Sequence, residues 1–297
     1  MIQNAEDNNY YAAHDKSEDP QLRFSLYPDR IVIDSNEDGF SKSNVEAICS
    51  VGQSTKKNVH GYIGEKGIGF KSVFKVARKV HVQSEPYSFT FKYQYDGNDN
   101  GLGMVTPMNE DYLTIDDHWV RTRMILYILD NCDRTALHRE FSDLPDTLLL
   151  FLQKLKQLTI RTLVEGCPEV QRTYSLLSSG DRVSIEKTVT HLDSSKTITT
   201  QHYWITRRSV TKMPNDPARK KVHTAEVVLA FPLDANNIPI IKEQYVSAFL
   251  PLKKVGYKVS ISSKPPRTVA KTLHLVSHSI RFRHTIKSRG CYCLSLE

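Results

Sequence analysis

The 297-residue sequence has no long apolar run, and its N-terminus has no basic segment followed by an apolar one. A membrane-spanning helix needs roughly 18 or more such residues, and the N-terminal layout is the mark of a secretory signal peptide. These two absences predict an intracellular protein without a membrane span. They do not distinguish the cytoplasm from the nucleus.

Cysteine is scarce and scattered. The five cysteines are an odd number at wide spacings, which fits unpaired thiols better than a disulfide framework. Two of them form a Cys-Tyr-Cys pair, but a structural zinc site needs four ligands and no second pair lies nearby. The sequence therefore predicts neither disulfides nor zinc at these positions: Cys49, Cys132, Cys167, Cys291 and Cys293.

A domain-wide basic surface is also missing, although the formal net charge is +7. Residues Ile261 to Glu297 contain seven basic side chains and one acidic side chain, so this segment holds +6 of that charge. The nearly neutral remainder argues against a nucleic-acid partner. The tail could touch phosphates or acidic lipids, but we favour a solvated, disordered end.

The content of 39% hydrophobic and 25% charged residues is typical of a globular protein with one large or two modest domains. Three zones follow from the patterns. Residues 1–160 alternate helical and strand signals, residues 161–260 are rich in β-branched and aromatic runs, and residues 261–297 form the basic tail. The second zone predicts a smaller β-rich domain that could hold a protein partner.

Several elements can be assigned from local pattern. The stretch LRFSLYPDRIVID predicts two strands joined by a Pro-Asp turn, and SKSNVEAICSVG predicts a helix capped by Ser41 or Ser43. YSFTFKYQY and RTRMILYIL predict further strands. TLLLFLQKLKQLTI has apolar residues at helical spacing and predicts a core helix.

The strongest chemical signal is YIGEKGIGFKSVF, whose glycines at 64, 67 and 69 precede a predicted helix. Glycines let main-chain amides approach a polyphosphate closely, and a helix N-terminus favours negative charge. The order is neither the dinucleotide fingerprint nor a P-loop. Alone, the motif could equally be a glycine-rich turn that caps a helix.

Three further motifs accompany it: Asn-Ala-Glu-Asp-Asn at 4–8, Asn-Glu-Asp-Gly-Phe at 36–40 and Val-Gly-Gln-Ser-Thr-Lys at 51–56. With these four ordered motifs the sequence resembles the GHKL ATPase superfamily of heat-shock chaperones, DNA gyrase, MutL and histidine kinases. It is most similar to the branch of sacsin/NO VEIN-like proteins. The resemblance extends more loosely through Leu102–Met104 and Thr122–Met124, and ends near Ile261.

The resemblance implies an α+β fold. It is a two-layer α/β sandwich of the Bergerat type, with a mixed sheet and helices on one face, followed by a smaller β-rich domain. It further implies ATP and Mg²⁺ as cofactors, with Asn4 giving an oxygen ligand to Mg²⁺ and Thr122 lying near the adenine edge. Lys56 would steady phosphate charge in a lid, and residues 64–70 would give main-chain donors to the triphosphate. The implied nucleotide-binding residues are Asn4, Asp7, Asn8, Ser35, Asn36, Gly39, Phe40, Ser54, Thr55, Lys56, Gly64, Lys66, Gly67, Ile68, Gly69, Phe70 and Thr122.

Two departures from the family pattern matter. Ser35 stands where many members have an aspartate that accepts from the adenine amino group, and a hydroxyl makes a weaker bond there than a carboxylate. The family's general-base glutamate lies four residues before the Asn4 position, which precedes Met1. We therefore expect a truncated gene product, gene model or fragment that binds Mg-nucleotide with weak or no hydrolysis, so whether it is an enzyme stays open. The alternative is a non-catalytic protein-interaction scaffold.

Overall fold

The structure is a computed structural model that describes residues 1–49, 70–94, 104–164, 169–211, 225–248, 250–254, 260–264, 283–287 and 291–295. The chain divides into two compact units. The first comprises Met1–Tyr203 and Leu233–Ile238, and the second comprises Trp204–Pro232 and Pro239–Glu297. The boundaries predicted at 160 and 260 stay predictions.

The first unit is built on one broad mixed sheet. Its neighbouring strands run in the order β10-β9-β8-β7-β1-β2-β6-β3-β4-β5. The β1–β7 pair is parallel, and the pairs β1–β2, β2–β6, β3–β6, β3–β4, β4–β5, β7–β8 and β8–β9 are antiparallel. The strands are β1 (Gln21–Leu26), β2 (Arg30–Ser35), β3 (Ala77–Ser84), β4 (Tyr87–Gln94), β5 (Met104–Asn109), β6 (Thr122–Ile128), β7 (Gln157–Thr162), β8 (Glu169–Ser179), β9 (Arg182–His191) and β10 (Lys196–Val210).

The two faces of this sheet differ because side chains alternate along each strand. One face presents buried apolar residues such as Phe24, Ile33, Met124 and Val82, which the strand registers place in one row. The residue next to each of these in sequence points to the opposite face. There the registers align Arg23, Asp34, Arg123 and Gln83, so that face carries a polar row.

Helices are short in the part of the chain that the structure describes. They are α1 (Ile2–Asp7), α2 (Tyr11–Asp15), α3 (Lys42–Cys49) and α4 (Arg134–Ser142), with a 3-10 helix at Phe70–Lys75. The Ser41 hydroxyl accepts from the Asn44 amide and the Asn44 side chain accepts from the Ser41 amide, 3.2 and 3.0 Å apart, so the predicted α3 helix and its Ser41 cap are confirmed. The β1, β2, β4 and β6 predictions are confirmed as well.

The predicted two-layer α/β sandwich with helices on one face is wrong. The dominant element is a broad, largely antiparallel sheet, and the helices have only six, five, eight and nine residues. The core helix predicted at TLLLFLQKLKQLTI is also wrong, and its absence removes a helix from the expected helical layer. Leu148 to Leu152 are buried in turns, and Gln157–Thr162 is strand β7, which joins β1 to β8 within the sheet.

The second unit is also made of strands where it is described. Its sheet order is β13-β12-β14-β11-β10, in which β10 contributes the residues from Trp204 onward. The bounds are β11 (Ala225–Leu233), β12 (Tyr245–Ala248), β13 (Leu250–Lys254) and β14 (Ser260–Lys264), and a separate antiparallel hairpin joins β15 (Arg283–Lys287) to β16 (Cys291–Ser295). None of the helices in the described ranges is both long and apolar enough to cross a membrane.

Candidate functional site

Two of the sequence motifs meet at one edge of the first unit's sheet. The Asn8 side chain, just past the end of α1, donates to the Glu37 carboxylate. The Asp38 amide donates to the Asn9 carbonyl at 2.9 Å. The Asp38 carboxylate in turn accepts from the amides of Tyr11 and Ala12, at 3.0 and 2.9 Å, and so binds the first turn of α2. The loop at 36–40 is therefore fixed to both N-terminal helices.

A row of three hydroxyls continues this edge across neighbouring strands. Ser35 ends β2, Thr122 begins β6 and Ser84 ends β3, and the registers pair Thr122 with both serines. The Ser84 and Thr122 hydroxyl oxygens lie 2.9 Å apart, and Ser84 Oγ accepts from the Phe40 amide at 2.8 Å. Thr122 thus lies at the end of the 36–40 loop, although no sequence motif pointed to Ser84.

Gly39 has a φ of +92°, in the left-handed region that residues with a Cβ rarely adopt. A Cβ built at this position would lie 2.9 Å from Ser84 Oγ. The loop conformation and the close approach to Ser84 therefore both require glycine here. The backbone conformation therefore explains why the Asn-Glu-Asp-Gly-Phe motif has glycine at this position.

Two of the predicted nucleotide-binding residues make other contacts within the protein. Asn36 is fully buried, its side-chain oxygen accepts from the Gln21 amide, and its side-chain nitrogen donates to the Asp19 carbonyl, both at 2.9 Å. Ser35 is also buried, and its hydroxyl accepts from the Glu37 amide at 3.2 Å. These contacts fix the start of β1 and the turn after β2.

A cavity of about 420 Å³ opens beside Gly39. Gln83 lines it, and its side-chain nitrogen donates to the Leu113 carbonyl at 3.0 Å. Its side-chain oxygen is buried without a hydrogen-bond partner in the described structure. The lining residues are Lys16, Asp38, Gly39, Gln83, Ser84, Glu85, Tyr112, Leu113, Ile115, His118, Val120 and Arg121.

Glu6 has a structural role that its sequence context does not indicate. Its buried carboxylate accepts from the amides of Gln153, Lys154 and Leu155 at 2.6, 3.1 and 3.0 Å. Lys154 reaches back and donates to the Asn8 carbonyl. Because the accepting and donating groups are about 147 residues apart, no local sequence signal could have revealed this anchor.

The structure brings together Asn8, Ser35, Gly39, Phe40 and Thr122. Phe70, in the 3-10 helix, packs its ring 5.6 Å from that of Phe91 in the apolar core. Asn4 lies in α1 and is half-buried. Asp7 ends α1 and is buried. The other predicted site residues lie outside the described residues: Ser54, Thr55, Lys56, Gly64, Lys66, Gly67, Ile68 and Gly69.

The described residues form no group of three or more His, Cys, Asp or Glu side chains that could hold a metal. Mg²⁺ bound with a nucleotide usually takes only one or two protein ligands and completes its octahedron with phosphates and waters. The amide oxygen of Asn4 has the hard-donor chemistry that Mg²⁺ prefers. Magnesium binding by Asn4 stays a prediction.

One curated protein aligns with most of the chain. Protein NO VEIN of Arabidopsis thaliana is 31% identical over 283 residues, which cover 88% of this chain. The chain is related to NO VEIN. It spans only 10% of the length of NO VEIN, so the relationship concerns one part of that much larger protein.

No family model matches the sequence, so membership of the GHKL superfamily stays a prediction. Among solved structures, the N-terminal domain of a DNA repair protein aligns with 82% of this chain and 72% of its own, at 11% identity and a TM-score of 0.35. A likeness at that TM-score does not establish a common fold.

Proposed function

We propose that the first unit binds Mg-ATP at the sheet edge formed by α1, the 36–40 loop, Ser84 and Thr122. The observation that carries this proposal is the meeting of two motifs distant in sequence, through the Asn8–Glu37 contact and the Asp38–Asn9 hydrogen bond. The glycine-dependent loop and the adjoining cavity give a purine nucleotide room to approach the backbone.

The cavity chemistry favours adenine over guanine. The buried side-chain oxygen of Gln83, which lines the cavity, has no hydrogen-bond partner in the described structure. A buried acceptor without a partner costs free energy that a donor can recover. The amino group of adenine is such a donor, whereas guanine presents a carbonyl oxygen at the corresponding position.

Hydrolysis is slow or absent in this proposal. Glu6 is the glutamate in α1, and its carboxylate already accepts hydrogen bonds from three backbone amides. The side chain is also buried, so the carboxylate is not available to a water molecule and Glu6 does not act as a general base. The function proposed is binding with nucleotide-dependent stabilisation.

Calorimetric titration of the 297-residue chain with Mg-ATP and Mg-GTP tests this function. Mg-ATP is expected to bind saturably and about tenfold or more tightly than Mg-GTP, because guanine would leave the buried Gln83 oxygen unpaired. Asn4→Ala should abolish the gain in affinity given by magnesium. Asn9→Ala, in the same segment but with an exposed side chain, is the matched control. Absence of saturable Mg-ATP binding would refute the proposal.

A protein-binding role has separate support in three exposed apolar side chains on the β8–β10 part of the first unit. Leu177, Leu192 and Ile198 have 54%, 75% and 59% of their surfaces exposed. We propose that they contact a protein partner, whether or not nucleotide is bound. Replacing all three with serine should abolish partner binding in a pull-down and leave Mg-ATP affinity unchanged. Loss of nucleotide binding alone would contradict this role.

A further inference from the structure

The polar face of the first unit's sheet contains a buried charge cluster separate from the nucleotide edge. Asp34 is 1% exposed and lies between two arginines from neighbouring strands. Its carboxylate accepts from Arg23 Nη2 and from Arg123 Nε, each at 2.6 Å. Arg23 also pairs with Asp117 and lies 4.9 Å over the Trp119 ring.

The charges of this cluster compensate one another. Burial alone would lower the pKa of Arg23, but its hydrogen bonds to Asp34 and Asp117 outweigh burial and raise that pKa. The hydrogen bond from Arg23 in turn lowers the pKa of Asp117. Asp34 pairs with Arg23 and Arg123, and Asp117 pairs with Arg23, so these four side chains leave no net charge to attract a ligand.

Arg161 is different. It lies in β7, level with Ser25 of β1, and lines a cavity of about 410 Å³ on the same polar face. Its Nε is buried and has no hydrogen-bond partner in the described part of the chain. A guanidinium stays charged at all physiological pH values, and its fork matches the two oxygens of a carboxylate. The cavity thus contains one partly buried cation whose donors are not all used.

The walls of the cavity indicate which anion fits. Val32, Leu113, Ile125 and Tyr127 give it apolar surface, while Asp116 and Asp117 add negative charge. The charged lining residues are Arg23, Arg30, Arg123 and Arg161 together with Asp34, Asp116 and Asp117, so the lining has one more positive than negative charge. A surplus of one positive charge favours a ligand with one negative charge over a phosphate dianion. The apolar walls favour a short hydrocarbon chain behind the charged group.

We propose that this cavity binds a small organic monocarboxylate, with its carboxylate on Arg161 and its chain against Val32, Leu113 and Ile125. This site is independent of the proposed nucleotide site. It lies on the polar face of the sheet, whereas the Ser35–Thr122–Ser84 row follows the register of the apolar face.

Titration of the full chain with sodium hexanoate at constant ionic strength, followed by NMR or calorimetry, tests the site. Saturable binding is expected. Arg161→Gln should weaken it by about tenfold or more, and Arg161→Lys should lose part of the affinity because it keeps the charge without the fork. Arg182→Gln is the matched control, since Arg182 is an exposed arginine of the same unit that pairs with Asn237 at 2.9 Å. Inorganic phosphate should bind more weakly than hexanoate.

If the Arg161 variants fail to fold, chemical modification of the wild-type chain tests the same site. Phenylglyoxal modifies arginines, and peptide mass spectrometry measures the modification of each one. Hexanoate is expected to protect Arg161 and leave Arg182 reactive. The proposal is overturned if hexanoate does not saturate, if phosphate binds as tightly, if Arg182→Gln weakens binding as much as Arg161→Gln, or if hexanoate leaves Arg161 as reactive as Arg182.

Discussion

Gly39 holds the 36–40 loop in a conformation that other residues resist. Replacement by alanine adds left-handed backbone strain and places a Cβ 2.9 Å from Ser84 Oγ. We expect Gly39→Ala to lower the free energy of unfolding by about 2–4 kcal/mol, combining the cost of a strained φ with that of overpacking. Urea unfolding in a Trp204→Phe background, followed by Trp119 fluorescence, measures this change.

Gly180 offers a matched control because its φ is +62° and an added Cβ would meet nothing within 4 Å. Gly180→Ala should cost only the strain, about 1 kcal/mol. Ser84→Ala combined with Gly39→Ala removes the clashing oxygen, so the double variant should recover part of the loss. Equal effects of the two glycine substitutions would show that the contact with Ser84 is unimportant.

His81 makes stability depend on pH. It is 1% exposed, its Nε2 lies 3.0 Å from Ser88 Oγ, and burial lowers its pKa below the ordinary 6.5. As the pH falls below about 6.5, the unfolded chain takes up a proton that the folded chain does not, so stability decreases until the pH reaches the lowered folded pKa. His81→Gln should remove this part of the slope in urea unfolding between pH 7.5 and 5. His14→Gln, an exposed histidine, should keep it.

At the scale of the element, α1 is held by one buried carboxylate rather than by its length. Six residues are too few for an independently stable helix, and Glu6 accepts three backbone amides from the segment before β7. Glu6→Gln leaves one side-chain acceptor and should lower the free energy of unfolding by about 1–3 kcal/mol. Glu140→Gln, on the exposed part of α4, should change it by less than about 0.5 kcal/mol.

The contacts of Glu6 also bear on the proposed nucleotide site. If Glu6 positions α1, Glu6→Gln should also weaken Mg-ATP binding, because Asn8 reaches Glu37 from the end of that helix. A Glu6→Gln variant with unchanged stability would show that the segment at 153–155 does not anchor α1. The Mg-ATP titration used for Asn4→Ala measures the effect on affinity.

Local sequence pattern predicted a strand or helix correctly where only one hydrophobic periodicity fitted the residues. The β1–β2 pair was predicted because alternation and a Pro-Asp turn agree, and the structure pairs Phe24 with Ile33 as that turn requires. At Leu148 to Leu152 the apolar spacing predicted a helix, but these side chains are buried in turns. Burial from several sides makes turns, strands and helices look alike in sequence, so periodicity could not separate them.

For the whole molecule, the two tryptophans give each unit its own probe. Trp119 belongs to the first unit and Trp204 to the second. In a Trp204→Phe variant, Mg-ATP at about 100 times its Kd should stabilise the Trp119 transition by about 2.7 kcal/mol, because the ligand binds the folded unit. Thermal unfolding followed by fluorescence measures the shift. Mg-GTP at the same concentration should shift it less, and an unchanged Trp119 midpoint with Mg-ATP would contradict nucleotide binding by the first unit.

The sequence by itself determined strands β1, β2, β4 and β6 and helix α3 with its Ser41 cap. These elements depend on alternation, turn residues and capping groups within a few residues of one another, so local rules were sufficient. Only the tertiary structure decided which distant groups meet: Glu6 with residues 153–155, Ser84 with Phe40 and Thr122, and Arg161 with its cavity. Those contacts join residues far apart in the chain, and the free energy of burying and pairing them is set by packing that no local pattern encodes.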